Sequence, residues 1–197
     1  MAKYFSNFGK IVTIDSSKSV LATNLLERVS VLKSIKNNAL VYYTYDIQEG
    51  DTPEMIAEKF YGDAERHWIV LLLNDIMDPF YDWPLSYRNF TKFIESKYIG
   101  GASYASSTIH HYSKVITKSD SSTGDISSQT YIIDLDTYNN TPHSVVSAGT
   151  ITVTTDKSTT TIYDYEEQLN ESKRTIKLLR KEYASQVEDE LKALLGK

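Results

Sequence analysis

Tyr43-TYDIQEGDTPEMIAEKFYGDAERHWIVLLLNDIMDPFYDWPLSYRNFTKFIESK-Tyr98 is the stretch that decides the fold. Val41 to Ile47 is rich in β-branched and aromatic residues and predicts an extended strand. Gly50-Asp51 supplies the turn that follows, since glycine accepts a positive φ. Thr52 stands where an N-cap belongs, Pro53 at the first helical position and Glu54 in the first turn. Met55, Ile56, Ala57 and Phe60 give this first helix its apolar face, and Gly62 is suited to end it. Asp63 predicts the cap of a second helix, with Trp68, Ile69, Leu72, Leu73 and Ile76 at helical spacing. Asn74-Asp75 and Asp78-Pro79 mark its exit.

Outward from this block, the first 40 residues read as an arm. Phe5, Phe8, Ile11, Val12 and Ile14 are apolar among small polar residues, which implies that the arm is held against a partner or its own domain. Leu21, Leu25, Leu26, Val29, Leu32 and Ile35 approach helical spacing and predict a short helix. Downstream, Ser86 predicts the cap of a third helix with Phe90, Phe93, Ile94 and Tyr98 as its buried row. Gly100-Gly101 ends that helix, and the small polar run to Ser107 reads as a hinge. Ile109–Ile116, Thr130–Leu135, Thr150–Val153 and Thr159–Tyr163 read as four short strands separated by turns, the last turn at Asp156 to Ser158. The loop from Ser119 to Ser128 is expected to be exposed. Residues 164–195 predict one long amphipathic helix along Tyr165, Leu169, Ile176, Leu179, Tyr183, Val187, Leu191 and Leu194. The expected organisation is an arm (1–40), a βαα module (41–99), a small β-rich region (100–163) and a C-terminal helix (164–197). The fold class is α+β.

Composition narrows the function. The chain has 197 residues, 41% of them hydrophobic, and no cysteine, which excludes disulfides, thiolate nucleophiles and zinc–thiolate sites. No apolar run is long enough to span a bilayer, and the N-terminus lacks a secretory apolar segment. A net charge of −5 argues against nucleic acid as the partner. Fifteen tyrosines favour extensive protein contact, since tyrosine combines large area with a polar tip.

No catalytic constellation emerges, and no metal or cofactor site is expected. His67 has no acid–base partner in sequence reach. His110-His111 fall in an expected strand, where adjacent side chains point to opposite faces and do not share a metal. His143 has no companion ligand. Asp134 and Asp136, expected on one face of a strand, lack the further oxygens that calcium requires. There is no HExxH, glycine-rich phosphate loop or Gly-x-Ser-x-Gly.

The spacing Tyr45-x-Ile47-x-x-Gly50-Asp51-Thr52, followed by Ile56-Ala57, Phe60, Gly62, Trp68-Ile69 and Asn74-x-Ile76, resembles the LysM module. That resemblance implies a βααβ fold and, in many members, binding of N-acetylglucosamine polymers. It covers Tyr45 to about Pro79 and then departs: a LysM closing strand is replaced by Tyr81-Asp82-Trp83-Pro84-Leu85-Ser86. With Gly50-Asp51-Thr52-Pro53-Glu54, Tyr61-Gly62-Asp63, His67-Trp68, Asp82-Trp83-Pro84-Leu85, Lys97-Tyr98 and, more loosely, Asn7-Phe8, the chain is similar to the LysM-containing baseplate wedge proteins of T4-like contractile-tailed bacteriophages. This implies a structural subunit of the virion tail, made in the host cytoplasm. Such a subunit joins core wedge proteins and links adjacent wedges of a six-fold ring, without nucleic acid or membrane as partner. Phe5, Phe8, Trp68, Leu71, Trp83, Tyr165, Leu169, Ile176 and Tyr183 are the candidate contacts. The alternative is a peptidoglycan- or chitin-binding module whose groove uses Gly50, Asp51, Thr52, Asn74, Ile76 and Asp78. A shared fold does not carry a sugar site across by itself, so glycan is the lesser expectation.

Overall fold

The computed structural model describes residues 4–15, 18–27, 29–31, 38 and 40–195. Along the chain the elements are β1 (Lys10–Asp15), β2 (Lys18–Thr23), β3 (Tyr42–Asp46), α1 (Pro53–Tyr61), α2 (His67–Leu73), α3 (Tyr87–Lys97) and α4 (Gly101–Ser107). They continue as β4 (Ile109–Asp120), β5 (Ile126–Ile133), α5 (Leu135–Asn140), β6 (Ser144–Ala148), β7 (Ile151–Thr161), α6 (Ile162–Glu171), β8 (Thr175–Leu179) and α7 (Lys181–Leu195). Two compact units result: one from the chain up to Ser86 together with the chain from Ser172 onward, the other from Tyr87–Glu171.

In the first unit, local chemistry builds α1 as its sequence predicts. Thr52 Oγ1 accepts the Met55 N–H at 3.3 Å, Pro53 opens the helix, and Gly62 ends it at φ 71° with its N–H on Glu58 O at 2.9 Å. The Asp63 carboxylate caps a 3-10 turn, Ala64–Arg66, which runs directly into α2. Strand β3 pairs antiparallel with β8, from Tyr42↔Leu179 to Asp46↔Thr175. The ladder extends at both ends through Ile47 N to Arg174 O and Arg180 N to Val41 O, each 2.9 Å. Ile56 and Ala57 of α1, Ile69, Val70 and Leu73 of α2, Ile176, Leu178 and Leu179 of β8, and Ala184 and Leu191 of α7 close one core. The strand that completes the β3–α1–α2 run therefore arrives only after the whole of the second unit.

This overturns the single long C-terminal helix. Residues 164–195 are the end of α6, then β8, then α7. The apolar spacing admitted both readings: Ile176 and Leu179 are three apart as on a helix, whereas Ile176 and Leu178 are two apart as on a strand. The exposed hydrogen-bonding edge of β3 decides between them, because its backbone groups need partners where side chains cover them.

The arm folds too. Its first part is a 3-10 turn, Tyr4–Asn7, and β1 and β2 then form an antiparallel hairpin from Lys10↔Thr23 to Asp15↔Lys18. The helix expected over Leu21–Ile35 does not form where the chain is described: Leu21 lies in β2, and Leu25 and Leu26 lie in a turn. Leu32 and Ile35 lie outside the described residues.

The second unit is a four-stranded antiparallel sheet in the order β5-β4-β7-β6, with α3, α4 and α6 packed together beside it. Helix α3 begins immediately after Ser86 and buries Phe90 and Ile94 of the expected row, while Phe93 and Tyr98 are only half-buried. The expected hinge at 100–107 is instead α4, entered through Gly100 at φ 102°. The turn expected at Asp156–Ser158 is mid-strand, so the last two expected strands are one, β7. Asp134 is not in a strand. It caps α5, its carboxylate accepting the Thr137 N–H at 2.9 Å and the Thr137 hydroxyl at 2.8 Å.

Candidate functional site

The loop between β3 and α1 and the loop leaving α2 hold the candidate groove residues, and each has an internal role. Gly50 turns the chain at φ 84°, and Thr52 caps α1. The Asp51 carboxylate accepts the Tyr45 hydroxyl at 2.7 Å and the Gln48 N–H at 3.1 Å. The Asp51 carbonyl accepts the Trp83 indole N–H at 2.9 Å. Trp83 is only 8% exposed, so the segment that departs from the LysM ending packs its indole against the first loop.

Asn74 is the most engaged of the set. Its side-chain amide donates to Val70 O and to Lys177 O, both at 2.8 Å, and its oxygen accepts the Lys177 N–H at 2.8 Å. The amide thus mimics a strand neighbour for β8 while closing the end of α2. Ile76 is half-buried against the core. Asp78 folds the loop, its carbonyl accepting Tyr81 N and Asp82 N and its carboxylate accepting Phe80 N at 3.0 Å. The Asp82 carboxylate in turn accepts the N–H groups of Asp78 and Met77 at 3.0 and 3.1 Å, bonds that hold it below the usual carboxylate range. What stays open is a shallow cleft of about 350 Å³ beside Asn74, Asp75, Asp82, Lys173 and Thr175.

The candidate contact residues divide sharply. Phe8, Trp68, Trp83 and Ile176 are buried in the core of the first unit. Leu71 and Tyr183 are half-buried there, and Phe5 is 61% exposed. Tyr165 and Leu169 belong to the second unit, half-buried and exposed respectively. With the long helix interrupted, Tyr165, Leu169, Ile176 and Tyr183 do not form one face.

What the sequence does bring together is an aromatic cluster on α2. The Tyr4 ring lies 5.1 Å from Phe8, 5.1 Å from Phe5 and 5.3 Å from Trp68. Around it opens an apolar hollow of about 760 Å³, rimmed by Phe5, Leu71, Leu72, Ile76 and Met77. The start of the arm is thus held by its own unit through Tyr4 and Phe8, one of the two outcomes expected for it, whereas Phe5, Ile11, Val12 and Ile14 stay exposed. Further exposed apolar side chains sit on the β1–β2 hairpin (Val12, Ile14, Leu21) and on the loop at Phe80-Tyr81.

The second unit holds two arrangements that sequence reasoning did not find. Glu166 of α6 is buried and accepts from Lys97 Nζ at 2.7 Å and from the Tyr98 hydroxyl. Burial pushes its carboxyl up, but the Lys97 and Tyr98 hydrogen bonds and the ammonium charge outweigh this and hold it below the ordinary glutamate value. The same bond to Glu166 raises Lys97. The pair is some 70 residues apart in sequence, so no local spacing could reveal it. The second arrangement is His110-His111, whose Nδ1 atoms lie 2.9 Å apart instead of on opposite faces. Among the described residues, no group of three or more His, Cys, Asp or Glu is placed to hold a metal, and no helix is long and apolar enough to cross a membrane.

The family described as "Base plate wedge protein 53" matches residues 5–193. The chain belongs to this family. Membership places it among the baseplate wedge proteins of phage tails, as a component of the virion. The chain is also 40% identical over 40 residues to the baseplate wedge protein gp53 of Enterobacteria phage T4. That match covers 20% of this chain and about a fifth of the relative's length.

Proposed function

We propose that this chain is an architectural joint: it binds the core wedge proteins and links adjacent wedges of a six-fold baseplate ring. Its first unit serves as a LysM-like docking block. The order β3–α1–α2–β8, with the outer strands antiparallel, supports the LysM likeness. The observation that carries the architectural reading over sugar binding is the engagement of the loops. Asp51 is tied to Trp83, Tyr45 and Gln48, and Asn74 to Val70 and Lys177, so the groups that would meet an amino sugar already hold the fold together. A buried donor or acceptor pulled from its partner costs about 1–3 kcal/mol, a charge against any ligand that must open these loops.

On this reading, separate contact surfaces on two compact units let one chain touch several neighbours. A second contact then becomes intramolecular, and assembly becomes cooperative. The chain performs no chemistry of its own, and nucleic acid, membrane and glycan are not its partners. Mixing the purified chain with the other wedge proteins and resolving the mixture by size-exclusion chromatography tests this. Co-elution with at least one wedge protein is expected, along with no retention on insoluble peptidoglycan or chitin. Retention on the polymer with no wedge partner would reverse the reading.

A further inference from the structure

The ordinary strand rule sends His110 and His111 to opposite faces, and the structure breaks that rule for a visible reason. Ile109 pairs with Thr161 and His111 with Thr160, so His110 is an extra residue on β4, the mark of a β-bulge. A bulge turns two successive side chains toward the same side. The two rings meet at 84° with their centroids 5.2 Å apart, and the Nδ1 atoms face each other at 2.9 Å. Tyr165 of α6 fixes both. The His110 ring stacks on it at 3.9 Å and 10°, and His111 meets it edge-on at 6.0 Å and 87°. The pair lies near the start of the strand, with His110 exposed and His111 half-buried.

We infer that His110 and His111 form a two-nitrogen chelate for a divalent transition metal that prefers tetragonal nitrogen sites, copper(II) or nickel(II). Imidazole nitrogens bind such ions at about 2.0–2.1 Å. Two nitrogens 2.9 Å apart then subtend about 90° at the metal. That is the angle between neighbouring ligands in square-planar and octahedral sites, and it falls short of the wider angle of a tetrahedral zinc site. Binding replaces the hydrogen-bonded proton between the rings. The donating ring moves its proton from Nδ1 to Nε2, both Nδ1 lone pairs become free, and no proton is released. Water completes the coordination in the isolated chain, because no third protein ligand is in place among the described residues. Stacking on Tyr165 holds the rings before the ion arrives, so little side-chain freedom is lost on binding. This inference does not rest on the baseplate reading.

The chain's other histidines make the test clean. His67 Nδ1 faces Ala64 O at 3.0 Å, and His143 faces Asp156 at 2.6 Å. The full-length chain is titrated with copper(II) and nickel(II) by calorimetry, and its copper complex is examined by electron paramagnetic resonance. One equivalent per chain is expected, with coupling to two equatorial nitrogens. Affinity should fall at least tenfold in His110→Gln and again in His111→Gln, and hold in His67→Gln and His143→Gln. Unchanged binding in the His110→Gln/His111→Gln double variant would overturn the inference. So would loss of the tight equivalent in His143→Gln, or a spectrum of the unsubstituted chain that shows a single nitrogen.

Discussion

At the scale of single residues, Asn74 separates the two possible meanings of the α2 exit loop. Its amide makes three hydrogen bonds that bind the end of α2 to β8. Asn74→Ala leaves two carbonyls and one N–H without these partners, and thermal or denaturant unfolding should show a loss of about 2–3 kcal/mol. Asn74→Asp should do no better, since a carboxylate would face the Val70 and Lys177 carbonyls. A melting temperature unchanged in both would mean that the amide is free for a ligand. Glu166 gives a pH-dependent counterpart. Its carboxyl is held down in the folded state, so its stabilising effect is present above the ordinary glutamate value and is lost as pH falls below it. Lys97 is raised, so its share is present up to the ordinary lysine value and fades as pH climbs past it. Lys97 is nearly half exposed, and solvent screens the pair. Glu166→Gln should therefore cost only about 1–2 kcal/mol near neutral pH, and it should flatten the loss of stability in acid. An equally steep acid limb in the variant would assign that limb to other groups.

At the scale of elements, legibility followed locality. Thr52, Pro53, Glu54 and Gly62 specify both ends of α1 within a dozen residues, and the structure follows them. Strand β8 is different, because what makes Thr175–Leu179 a strand is the edge of β3, more than a hundred residues earlier. Strand β7 was divided in expectation by Asp156-Lys157-Ser158, polar residues that resemble a turn. In the sheet they have partners: Asp156 meets His143, and the Lys157 ammonium reaches Tyr138 O at 3.0 Å and the Tyr138 ring at 4.6 Å. Of the candidate site, the loop positions were readable as turns and caps. The Trp83–Asp51 bond that closes the first loop was not, because it joins segments whose proximity only the fold creates. Leu178 tests β8 directly, being fully buried on a strand that pairs with β3 and packs on α2. Leu178→Ala should lower stability by about 2–5 kcal/mol, measured by denaturant unfolding of the first unit. A cost below about 1 kcal/mol would be that of a surface position and would contradict the strand.

At the scale of the whole molecule, the first unit is assembled from two chain segments with the second unit set between them. The two segments are tied close to where that unit departs and returns, by Lys173 Nζ on Tyr81 O at 2.6 Å. Replacing residues 87–171 by a flexible Gly/Ser linker should leave a protein that still unfolds cooperatively, because β3, β8, α1, α2 and α7 keep their shared core. An unfolded product would show that the first unit depends on its insertion. Each unit carries exposed apolar side chains, Val12 and Phe80 among them on the first and Ile132 and Val146 on the second, and the decisive observation on the proposed joining role is made on the assembly itself. Purified wedges lacking this chain, imaged by electron microscopy before and after it is added, should remain separate beforehand and close into six-fold rings afterwards. Rings that form equally well without it would contradict the account.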